Sequence, residues 1–193
     1  MSAMSPKLRH AGDTDDVLGS ARSHVVDRGD SLLQRLVETD ASLPPALARV
    51  ALGLVMLPHV LQKTFGWFGG HGLGATYYAF TGQMGIPGPL AFLAIVAEVF
   101  GVASLLLGVL SRVGAAAIIS VMLGAIAFAH LPHGFFMDWQ GTKGGEGFEY
   151  HLLAIALGLV VFLAGGGAAS IDRTLMRRHP MEGGSVDGRL TRA

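Results

Sequence analysis

The chain contains no cysteine. That absence excludes thiol–disulfide exchange, iron–sulfur ligation and cysteine-based zinc sites, all real alternatives for a small membrane oxidoreductase. Charge is also scarce. Asp, Glu, Lys and Arg make up 15% of the 193 residues, against about 25% in an average soluble domain. Most of it gathers in residues 1–42 and 172–193, with very little between. Formal net charge is +0, so bulk electrostatics point to neither nucleic acid nor an acidic partner. Met1 to Asp40 is polar, without an apolar run after its first basic residues, and no signal peptide is expected there.

What is present is apolar: 51% of residues are hydrophobic and the mean hydropathy is +0.50. Four apolar stretches are long enough to cross about 30 Å of hydrocarbon at about 1.5 Å per residue. They run from about Pro45 to Phe65, Pro89 to Leu110, Val113 to Leu131 and Tyr150 to Ile171. Pro44-Pro45 and Pro89 suit helix starts. Ser111-Arg112 leaves no room for a soluble loop, so spans two and three form a tight hairpin. The expected fold class is an all-α membrane protein, a four-transmembrane-helix bundle with both termini cytoplasmic. Its parts are a polar segment 1–42, a membrane domain 43–172 and a polar tail 173–193. Within the first part, Leu32, Leu33, Leu36 and Val37 share one helical face, which fits either a short interfacial helix or a helical turn before the first span with no role of its own.

Orientation follows from the basic residues. Arg22, Arg28, Arg35, Arg49, Arg112, Arg173, Arg177 and Arg178 fall on one side, and Lys63 and Lys143 on the other. The positive-inside rule places the first side in the cytoplasm of a multi-pass inner-membrane protein. Small residues then predict how helices meet. Ala94, Ala97, Gly101, Ser104 and Gly108 recur on span two, and Ala116, Ser120 and Gly124 on span three.

Ionisable residues inside the membrane are costly, so they mark candidate sites. Glu98 lies roughly 13 Å past Pro89 along a helix, near the midplane. His59 and Lys63 stand one helical turn apart on span one and can reach it. His130, Glu149 and His151 lie toward the same outer side. Glu98 and His59 are the expected proton-handling, catalytic pair, with Lys63, His130, Glu149 and His151 as ligand-binding groups. Together they suit a proton-exchanging pocket for a small polar or quinone-like ligand. Against this stands a simpler reading, in which Glu98 with Lys63 or His59 only fixes helix register. A metal site built on His130 and His133 is disfavoured because Pro132 breaks the helix between them. A bis-His haem on His59 and His130 is weaker still. The Gly66–Gly74 run follows a membrane helix and lacks the Gly-Lys-Ser/Thr ending of a phosphate loop.

Several elements in order resemble the DoxX-like membrane proteins. They are Arg49 to Gly53, His59 to Lys63 with the glycine-rich turn after it, Gly85-Ile-Pro87, and Glu98 with its small-residue run. Leu107 to Arg112, Met122 to Ile126, Glu149-Tyr150 and Ser170-Ile-Asp172 complete the series. The resemblance covers about residues 46–175 and implies a four-helix inner-membrane protein. It further implies kinship with subunits of quinone-linked oxidoreductases, including thiosulfate:quinone systems, and with proteins that associate with oxidative-stress enzymes. It supplies no agreed catalytic list. The expected function is therefore a subunit of a membrane redox complex, with quinone as the ligand and redox-complex proteins and the lipid bilayer as partners. The alternatives are a non-catalytic scaffold that anchors soluble redox or stress enzymes through its tails, and, ranked last, a small transporter. No inverted repeat with broken helices is evident to support the last.

Overall fold

A computed structural model describes residues 36, 38–39 and 41–178. The short helix or helical turn expected around Leu32 to Val37 lies almost wholly outside the described residues. Helix α1, Leu43–Phe65, begins at Pro44-Pro45, where missing N–H groups cost nothing. It ends at Gly66, whose φ of +74° lets its own N–H turn back to the Leu61 carbonyl. The chain then folds against the end of α1 so closely that a Cβ on Gly70 would collide with the Gln62 backbone. The expected loop here contains a short helix α2, Gly72–Tyr78, extended by a π turn Ala79–Gln83. Thr76 Oγ1 donates to the Lys63 carbonyl at 3.1 Å and holds α2 against α1.

Helix α3, Gly88–Leu107, and helix α4, Ser111–Ala125, form the expected tight hairpin. Gly108 closes α3 at φ +69°, and its N–H reaches the Ser104 carbonyl. Helix α4 continues through a π turn, Ile126–His130, into a 3-10 turn, Leu131–His133. Helix α5, Glu149–Ala164, stops well before the expected Ile171, because Gly165 turns the chain at φ +84°. The C-terminal tail begins inside a further helix, α6, Ile171–Arg178.

Among the described residues three helical stretches are long and apolar enough to cross a membrane: Leu43–Phe65, Gly88–Leu107 and Ser111–His133. Helix α5 is apolar but only 16 residues long. It lies antiparallel to α4: Glu149 N–H meets the Phe135 carbonyl at one end, and Arg112 reaches the Phe162 carbonyl at the other. Leu52 and Met56 of α1, Val102 and Leu105 of α3, Ile118 of α4 and Val161 of α5 fill the shared core. Leu54, Phe92, Leu93, Leu123 and Leu163 stay exposed around the outside, as expected where lipid, not water, covers the surface.

The small residues work unequally. Gly101 and Ser104 of α3 meet Gly114 of α4, where a Cβ would strike the Ser104 hydroxyl. Gly124, expected on the packing face, has open space beside it, and Ser120 is exposed. The close crossing therefore uses Gly114, two residues before Ala116 and so on nearly the opposite face from the anticipated stripe.

Candidate functional site

Two polar clusters occupy opposite ends of the bundle. At one end, Arg49 is 3% exposed. Its Nε donates to the Gly166 carbonyl at 2.9 Å, and its Nη1 donates to the carbonyls of Leu105 and Leu106. The guanidinium thus satisfies the last carbonyls of α3, which lack helical partners, and ties them to the loop after α5. Asp172 does the reciprocal task for α4. It is 1% exposed, and its carboxylate accepts from Leu110 N–H (2.7 Å), Ser111 N–H (2.9 Å) and Ser111 Oγ (2.7 Å). An anion at a helix start and a cation at a helix end are both favoured by the backbone dipoles. Arg49 was expected only as one of the anchoring arginines. Its burial in an apolar helix was the signal that could have marked it.

The second cluster stands at the other end. Glu98 is 2% exposed on α3. Both its oxygens accept from Lys63 Nζ of α1 at 2.8 Å. This is the one ion pair among the described residues. The interhelical link anticipated between these spans is thus present, and Lys63 makes it. His59, one turn back on α1, lies within electrostatic reach of both partners. Its ring stands 6.0 Å from that of Tyr150. Tyr150 is in turn 5.7 Å from His151, which stacks on His130 at 4.1 Å. Tyr150 Oη donates to Met56 Sδ at 3.4 Å, so the phenol points into the core.

Tyr150 was expected only as a boundary aromatic, yet it bridges the two halves of the histidine cluster. Its position between Glu149 and His151 at the start of α5 was the available clue. Glu149 shares this end of the bundle, and its carboxylate accepts from Met137 N–H at 3.2 Å. His130 Nδ1 meets the Glu146 carbonyl at 2.9 Å. His133 points elsewhere, its ring packed where a Gly145 Cβ would stand. Among the described residues no three His, Asp or Glu side chains gather as metal ligands would.

His151 carries the sharpest chemical statement. The residue is 7% exposed, and its Nδ1 is buried without a hydrogen-bond partner. A buried polar atom left unpaired costs about 1–3 kcal/mol, and such atoms concentrate where a protein meets a ligand or does chemistry. The arrangement can accept a hydrogen bond at His151 and exchange protons through several titratable rings. An open groove of about 590 Å³ lies to one side, lined by Leu73, Tyr77, Pro89, Phe92 and Ile95. It is apolar and one helical turn from Glu98, and the histidines do not line it.

No curated protein and no solved structure matches this chain. Residues 45–131 match the DoxX family model, from the start of α1 through the π turn that ends α4. Arg49, His59, Lys63, Glu98 and His130 lie inside that stretch, whereas Glu149, His151 and Asp172 lie beyond it. With three helices apolar and long enough to span a bilayer, the chain is a multi-pass membrane protein whose residues 45–131 are similar to the DoxX family.

Proposed function

We propose that this protein is the membrane-embedded subunit of a redox complex, binding a quinol-type or other small reductant at the His130 end of the bundle. The unpartnered Nδ1 of His151 carries the reading. A quinol offers a hydroxyl donor of the kind this buried acceptor lacks. When a redox partner subunit of the complex takes its two electrons, neighbouring bases must take up the two protons released. His130, His59 and the Lys63–Glu98 pair stand next in line as proton-handling groups. Purified protein should retain quinone, and His151→Leu and Glu98→Gln should each weaken quinol binding at least tenfold. Unchanged quinol titrations in both variants sink the proposal.

The same reading gives four crossings, both tails in the cytoplasm and the His130 end facing outward. Helix α5 spans about 24 Å at 1.5 Å per residue, and its ends coincide with those of α4. The basic residues of segments 1–42 and 173–193 favour the cytoplasmic face of the inner membrane. Because the chain has no cysteine, single cysteines at Ser20, Gly141 and Gly184 report sidedness directly. Only the one at Gly141 should react with an impermeant maleimide added to intact cells. Labelling of all three, or of either tail alone, contradicts this topology.

A further inference from the structure

Helix α6 lies at the Arg49 end of the bundle, and the structure restrains its first turn in an unusual way. Asp172 points inward, its carboxylate occupied by the start of α4 and its own N–H donated to the Gly108 carbonyl at 2.9 Å. Ser170 Oγ accepts from Arg173 N–H at 3.2 Å and donates to the Gly167 carbonyl. The helix is therefore anchored to the α3–α4 hairpin by its backbone and one acid. Two of its apolar side chains are exposed. Ile171 is 44% exposed and Leu175 is 45% exposed, one turn apart on the same face. The sequence adds Arg173, Arg177 and Arg178 within the same eight residues, so the helix is strongly amphipathic and basic.

We infer that α6 is an interfacial helix that sits on the bilayer at the Arg49 end and recognises anionic phospholipid headgroups. Two observations select lipid as the occupant. The exposed Ile171 and Leu175 belong to a chain whose bundle is already in the membrane, so the helix needs no separate recruitment. The arginines supply the charge complement of an anionic surface, each worth about fivefold in the membrane-bound population. Apolar insertion with basic flanks is the pattern by which helices lie in an interface without crossing it. Asp172 would set where the helix leaves the bundle, and lipid composition would set how firmly it lies down.

The lack of native cysteine makes the test direct. Leu175→Cys, an exposed position, is spin-labelled in the full chain and placed in nanodiscs of phosphatidylcholine with or without phosphatidylglycerol. Power saturation with oxygen and with a water-soluble nickel chelate then reads depth. The expected result is a label below the headgroups in anionic discs, shallower in neutral ones. Arg173→Gln with Arg177→Gln should remove most of that difference, and high salt should reduce it. A label equally open to nickel in both lipids overturns the inference. So does a label shielded from both reagents, which would mean that protein covers the face.

Discussion

Replacing Lys63 by Met tests the polar core of the outer cluster most directly. Glu98 is 2% exposed and both its oxygens rest on Lys63 Nζ at 2.8 Å. Removing the cation leaves a buried carboxylate, and breaking a buried pair in this way costs about 3–5 kcal/mol. Lys63→Met should therefore destabilise the bundle on that scale. Lys63 is itself 31% exposed, so water enters and the lower half of that range is the better expectation. Glu98→Leu in the same background removes the stranded acid and should recover most of the loss. The assay is reversible unfolding in mixed micelles of both single variants and the double variant. A coupling energy below about 0.5 kcal/mol, with additive single effects, would refute the reasoning, since the pair would then not be an energetic unit.

Two further outcomes follow from the loops and the opposite end. Arg49→Met strands the carbonyls of Gly166 and Leu105, and hydrogen bonds to charged groups are worth about 1.5–3 kcal/mol each. Arg49→Lys should restore only part of this, because a point charge cannot match the planar fork; equal melting of both variants and the parent would count against the clamp. In the loop after α4, Asp138 accepts from the N–H groups of Thr142 and Lys143 at 2.8 Å, and the Lys143 bond foremost holds its carboxyl below the ordinary range. A lowered pKa in the folded loop means a contribution present above the unfolded value and lost as pH falls through the folded one. Hydrogen exchange at the Thr142 and Lys143 amides should therefore stay protected, relative to intrinsic rates, down to pH below about 4. Asp138→Asn keeps one acceptor oxygen, so it should expose at least one of the two amides and abolish the pH dependence; unchanged exchange would show that other contacts hold the turn.

Much of this architecture could be read before any coordinates. Pro44-Pro45 and Pro89 marked helix starts, and Ser111-Arg112 marked the hairpin, because local backbone chemistry decides them. Glu98 and Lys63 stood out because ionisable groups are rare where water is absent. Other features depended on distant chain segments. The Gly165-Gly166-Gly167 run was the available signal that α5 would stop short, masked by the apolar residues that continue beyond it. The helix at Gly72–Tyr78 was hidden by glycines and is held by Thr76 on the Lys63 carbonyl. Tyr150 looked like a boundary aromatic until the fold set it between His59 and His151.

The sequence by itself determined that this is a helical membrane protein, where its helices begin, and which few polar residues carry the cost of burial. Those outcomes depend on composition and on contacts within a few residues. Only the tertiary structure decided how the polar groups are spent. Lys63 answers Glu98, Arg49 closes α3 from across the bundle, Asp172 opens α4 from beyond α5, and His151 keeps a buried nitrogen unpaired. Each pairing joins residues at least 35 positions apart in the chain, and helix packing alone determines which of them meet.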